Sequence, residues 1–102
     1  MEQHVYSIDE IKNAIAPLLT QNNVMKAILF GSYAKKCASP SSDIDIFIDS
    51  GGILNGLNFF ELYSQIESKL NKKLDMFEAI DVEKDSRIYD EIINYGVVLY
   101  ER

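Results

Sequence analysis

Residues 43–49 alternate without a break, with Asp43, Asp45, Phe47 and Asp49 on one side and Ile44, Ile46 and Ile48 on the other. Successive side chains of an extended chain point to opposite faces, so this stretch reads as a β-strand with an isoleucine face and an acidic face. The isoleucine face needs a covering layer, and helical patterns lie on both sides of it in the chain. Ser7 and Glu10 have capping-box spacing, and Ile8, Ile11, Ile15, Leu18 and Leu19 then fall on one helical face. Pro17 has no backbone N–H and is expected to kink or break that helix. Beyond the alternating strand, Asn58 reads as the cap of a second helix, with Phe59, Leu62, Tyr63, Ile66 and Leu70 on its core face and Leu57 and Phe60 off it. A third helix is expected over residues 85–95, with Ile88, Ile92 and Tyr95 inward and Gly96 as its left-handed C-cap.

Three further stretches read as strands. Residues 24–30 are a short apolar run that stops at Gly31-Ser32, a turn from which a short helix is expected at residues 33–36. In residues 72–78, Asp75 and Phe77 share a face opposite Leu74 and Met76. Residues 97–101 close the chain as a short strand. Strands and helices interleave, so the expected fold class is α/β (α+β): one mixed sheet with helices mainly on one face, forming a single domain over residues 1–102. Hydrophobic residues make up 47% of the 102, enough for one core.

Charge and cysteine content narrow the function classes. The net charge of −6 argues against broad nucleic-acid binding, which needs a basic face, and leaves room for a nucleotide held through a metal or for a basic protein partner. No apolar run approaches membrane-spanning length, and the first residues lack the basic start and apolar stretch of a secretory signal. A lone cysteine, Cys37, makes no internal disulfide and suits a cytoplasmic location. Cys37 and His4 carry no ligand pattern.

The chemistry concentrates in Phe30-Gly31-Ser32-Tyr33-Ala34-Lys35-Lys36 and Ser42-Asp43-Ile44-Asp45. Asp43 and Asp45, two apart on a strand, point the same way, and ionising both is costly without a cation between them. Magnesium suits such a pair, taking a few carboxylates plus water and phosphate oxygens. Upstream, glycine lets the backbone approach a phosphate closely, free N–H groups at a helix start attract the anion, and the Ser32 hydroxyl adds a donor. Asp75 stands mid-strand between Leu74 and Met76, a costly place for a charge without a use or a partner, with Asp49, Glu78 and Asp81 as nearby competitors. A phosphate cradle beside a carboxylate pair provides the parts for phosphoryl or nucleotidyl transfer.

This joint pattern resembles the DNA polymerase β-like nucleotidyltransferase superfamily, and Gly31-Ser32-Tyr33-Ala34 with Ser42-Asp43-Ile44-Asp45 looks closest to its minimal nucleotidyltransferase (MNT) branch. The resemblance implies that Asp43, Asp45 and Asp75 are catalytic and hold a pair of magnesium ions, that Gly31 and Ser32 hold the triphosphate of ATP, and that Asp75 helps deprotonate the acceptor hydroxyl. It implies a HEPN-domain toxin as partner, AMPylated on a hydroxyl, most simply a tyrosine, and thereby neutralised in a toxin–antitoxin pair. Homo- or hetero-oligomers fit this picture. Two alternatives stand beside it: a non-catalytic antitoxin that acts by binding, and nucleotidyl transfer to a small molecule with a second subunit. Lys35-Lys36 departs from the Arg-Gly usual in the family. Lysine keeps a positive charge near the phosphates, and Lys36 occupies a position where glycine would allow a positive φ.

Overall fold

A computed structural model describes residues 4–102. The elements run in the order α1 (Ile8–Gln21), β1 (Lys26–Phe30), α2 (Gly31–Ala34), β2 (Ile44–Asp49), α3 (Gly56–Leu70), β3 (Leu74–Glu78), a 3-10 turn (Ala79–Asp81), α4 (Arg87–Tyr95) and β4 (Val97–Glu101). The four strands form one sheet in the order β3-β2-β1-β4. β1 pairs antiparallel with both β2 and β4, and β2 pairs parallel with β3. The sheet is mixed, as the interleaved pattern predicts.

The isoleucine face of β2 forms the centre of the core. Ile44, Ile46 and Ile48 are fully buried, together with Ile11, Ile15 and Leu19 of α1 and Leu62, Ile66 and Leu70 of α3. These two long helices therefore cover one face of the sheet. The short α4 packs against β1 and α2, with Ile92 buried beneath it. Among the described residues, no helix is long and apolar enough to cross a membrane.

Local signals in α1 act as their chemistry dictates. The Ser7 Oγ accepts from the Glu10 amide at 3.1 Å, and Glu10 Oε1 accepts from the Ser7 amide at 2.8 Å. That hydrogen bond from the Ser7 backbone, helped by His4, holds the Glu10 carboxyl below its usual pKa. Pro17 does not break the helix, which continues from Ile8 to Gln21. Pro17 and Asn13 are both exposed, so water can satisfy the Asn13 carbonyl that the missing N–H leaves unpaired.

Other expected details differ as well. α3 starts at Gly56 rather than after Asn58, because the amides of Asn58 and Phe59 already bond the Asn55 carbonyl. Tyr95 is 52% exposed and covers Lys35 instead of entering the core. Gly96 is extended, at φ −63° and ψ 143°, and makes no left-handed cap. Glycine is needed there for space: a Cβ would stand 2.3 Å from the Ile92 carbonyl oxygen and 2.7 Å from Ile28 Cγ2. Gly96→Ala should therefore push α4 off β1 and cost about 1–3 kcal/mol, measured by urea denaturation.

A buried polar pair lies on the core side of the sheet. Ser50 is fully buried and its hydroxyl donates to Glu78 Oε2 at 2.8 Å while accepting from the Leu54 amide at 3.0 Å. Glu78, at 4% exposure, thus ties the end of β3 to the loop after β2. It belongs to the core face and is no competitor of Asp75.

Candidate active site

Strand register brings the carboxylates together. Asp45 of β2 sits directly beside Asp75 of β3 in the parallel pair and opposite Phe30, the last residue of β1, in the antiparallel one. Asp43 lies just ahead of β2 and two residues from Asp45, half-buried, with Lys73 Nζ 3.9 Å from its Oδ2. Asp49 shares the face but lies at the far end of β2, where its carboxylate accepts from the Gly51 amide at 2.9 Å. Asp81 falls in the 3-10 turn beyond β3. Of the competing acids, Asp75 alone has the register position next to Asp45.

Gly31 follows Phe30, so the turn meets the same carboxylate. Its φ is +73°, and an added Cβ would come within 2.1 Å of Asp45 Oδ2. Glycine is required twice over at this position, by backbone conformation and by the Asp45 carboxylate that occupies the side-chain space. α2 then begins at Gly31 itself, two residues earlier than the expected start, and no side chain caps its first turn. The turn amides and the Asp45 carboxylate are thereby neighbours, the arrangement in which a phosphate and a cation can be held together.

The bare site carries too much negative charge. Asp45 is half-buried, and its pKa is pushed up to about 6, first by desolvation, then by the charges of Asp75 and Asp43 and a hydrogen bond with Asp75, with Glu91 of α4 adding to the rise. Phe30 and Phe77, with ring centroids 5.9 Å apart, form an apolar wall on this face. Among the described residues, no three His, Cys, Asp or Glu side chains already close into a metal-ligand group. Open carboxylates of this kind fit magnesium, which retains waters and takes substrate phosphate oxygens rather than an all-protein cage. The donor set and its unbalanced charge fit a divalent cation.

The folded pKa of Asp45, about 6, lies above its ordinary value of 3.8, so ionising it opposes folding. The metal-free protein should gain stability as the pH falls from 7 through 6 towards 4, by about 1 kcal/mol once screening of a half-exposed carboxylate is allowed for. A cation that neutralises the site should abolish the gain. Thermal melts at pH 5 and pH 7, with and without magnesium, measure it.

The basic loop is partly as expected. Lys36 adopts φ +61°, the left-handed region where a lysine is strained and a glycine is not. Lys35 is engaged by α4: its Nζ lies 2.9 Å from Glu91 Oε1 and 4.7 Å from the Tyr95 ring centroid. Neither Glu91 nor Tyr95 was marked by any motif, although their spacing of four puts them on one helical face. Cys37 is exposed, and His4 hydrogen-bonds Glu10 at the start of α1. The roomiest cavity described, about 540 Å³, lies away from the carboxylates between the start of α1, Tyr33 and Lys36. Beside Asp43 is a smaller cleft of about 140 Å³, lined with Lys72 and Lys73.

Comparison with known proteins agrees with this geometry. The family described as "Polymerase beta, Nucleotidyltransferase" matches residues 13–102. A Methanocaldococcus jannaschii protein, named as a candidate protein adenylyltransferase, is 33% identical over 90 residues, covering 86% of this chain and 97% of the relative. A crystal structure of a toxin–antitoxin with AMP-PNP superposes with a TM-score of 0.77 at 25% identity, covering 89% of this chain and 73% of the other. The fold is shared with an MNT antitoxin solved in complex with a tri-AMPylated Shewanella oneidensis HEPN toxin, with a TM-score of 0.72 at 23% identity over 93% of this chain and 73% of that one. The family match takes in all four strands, the Gly31 turn and the three carboxylates; the chain belongs to the polymerase beta nucleotidyltransferase family.

Proposed function

We propose that this nucleotidyltransferase moves AMP from ATP to a hydroxyl of a partner protein, in a magnesium-dependent reaction carried by Asp43, Asp45 and Asp75. The observation that carries this reading is the contact of Gly31 with the Asp45 carboxylate, beside Asp75 in register. It supports a phosphate seat and a cation seat lying side by side. In the proposed reaction, Gly31 and Ser32 hold the triphosphate through backbone amides and the serine hydroxyl. Asp43, Asp45 and Asp75 hold a pair of magnesium ions, which when bound neutralise the developing charge on the α-phosphate. Asp75 assists removal of the acceptor's proton. The acceptor oxygen attacks the α-phosphorus in line, the bond to the bridging oxygen breaks, and pyrophosphate leaves.

Protein adenylylation is supported by the name of the 33%-identical relative, and a toxin partner by the structure solved with AMP-PNP. The motif resemblance points to a HEPN-domain toxin and to a tyrosine acceptor. Neutralisation by binding alone is the second reading, favoured by Leu57 and Phe60, which are 85% and 62% exposed on α3. One assay separates the two. The protein is incubated with ATP labelled at the α-phosphate, magnesium and the HEPN-domain partner. Label on the partner that is lost in Asp43→Ala supports the enzyme; tight binding without label, unchanged by that substitution, contradicts it.

A further inference from the structure

We infer that Glu91 and Tyr95 of α4 are positioning residues that hold the Lys35 ammonium at the edge of the phosphate seat. This rests on the triphosphate seat proposed above. Lys35 is the residue that ends α2, four positions after Gly31, and a lysine there is expected to roam. Here it is held from two sides by one helix: Glu91 Oε1 lies 2.9 Å from Nζ, and the Tyr95 ring lies 4.7 Å away beneath the charge. Glu91 and Tyr95 are one helical turn apart, so both face the loop together.

The location of this clamp argues for more than a surface pair. α2 begins at Gly31, against the Asp45 carboxylate, and is capped by Lys35, so the ammonium that Glu91 holds belongs to a residue one helical turn from the same site. The bare site holds three carboxylates and must accept a triphosphate, so it needs cationic charge beyond its metal. Of the other lysines nearby, Lys36 lines the cavity at the start of α1, Lys72 donates to the Pro40 carbonyl at 2.7 Å and Lys73 lies 3.9 Å from Asp43. A flexible lysine must lose rotamer freedom to bind phosphate, and one already held in place loses less. Unlike the planar fork of arginine, an ammonium on a four-carbon stem has no shape of its own to set its direction, so a clamp supplies it.

The competing account is a staple that ties α4 to α2 with no bearing on the nucleotide. A charge swap separates the two. Calorimetry measures the Kd for magnesium-ATP, and thermal melts measure stability, for the wild type, Glu91→Ala and the double variant Lys35→Glu/Glu91→Lys. The positioning role predicts that Glu91→Ala weakens ATP binding about fivefold, the order that a partly exposed pair can supply. It also predicts that the swap recovers thermal stability while ATP binding stays weak, because the cation then sits on α4 rather than on the loop. Wild-type affinity in Glu91→Ala, or recovery of both stability and affinity in the swap, overturns it. Because the readout is binding, a wild type that binds ATP but labels no partner contradicts the proposed reaction while the same comparison still decides the role of Glu91.

Discussion

Asp45→Asn is expected to reduce AMP transfer at least about a thousandfold, on the order of 4 kcal/mol of transition-state stabilisation, while the folded protein becomes no less stable. The two halves of that result have one cause. Asp45 sits between Phe30 on one strand and Asp75 on the other, with its carboxylate against Gly31. Its pKa of about 6 reports a charge that the metal-free fold does not want there. An amide removes the repulsion with Asp43 and Asp75 and keeps the shape over Gly31. It also removes one of the proposed metal ligands. Loss of transfer with unchanged or raised melting temperature is the mark of a residue kept for chemistry at the expense of stability. Label transfer and thermal melts on one preparation measure both.

Ser50→Ala is expected to have the largest effect on folding and little on chemistry per folded molecule. Ser50 is fully buried, and its hydroxyl serves both the Glu78 carboxylate at 2.8 Å and the Leu54 amide at 3.0 Å. Removing it leaves the buried acid only the Ser50 amide, at 3.4 Å, and the buried Leu54 amide without its acceptor. The expected cost is about 2–4 kcal/mol. For a domain of this size that corresponds to a fall in melting temperature of roughly 10 °C or more. Adding Glu78→Leu should restore part of the loss, since no acid then remains to be satisfied. Glu78 faces away from Asp45 and Asp75, so ATP affinity should survive in the folded fraction.

The parts of the fold that follow from period were legible in the sequence. Ile44, Ile46 and Ile48 fixed the buried face of β2 and with it the direction of Asp45, and a charge between Leu74 and Met76 marked Asp75 as set on the same side. Features that depend on what another segment brings were less legible. Gly31 and Gly96 are both required, but for Gly96 the turn chemistry suggested a left-handed cap whereas the constraint is Ile28 across the gap. Gly31 reads as a turn where the backbone approaches a phosphate, and the occupant of its side-chain space is a carboxylate from the next strand. Local capping preference placed a helix start at Asn58 and hydrophobic period turned Tyr95 inward. The Asn55 carbonyl and the Lys35 ammonium, respectively, give those residues other work. Glu78 looked like one more acid on a strand, and only the fold shows that it points into the core towards Ser50.

Asp43, Asp45 and Asp75 are proposed to share a cation beside a phosphate held by Gly31 and Ser32. Manganese in place of magnesium, with a non-hydrolysable ATP analogue, gives the direct test, because its anomalous scattering locates the ion in a crystal independently of any activity. Manganese peaks are expected within ligand distance of Asp43 and Asp45, with Asp75 completing the site and the triphosphate against the Gly31-Ser32 amides. Nucleotide bound elsewhere, or bound with no ion at these carboxylates, would contradict it.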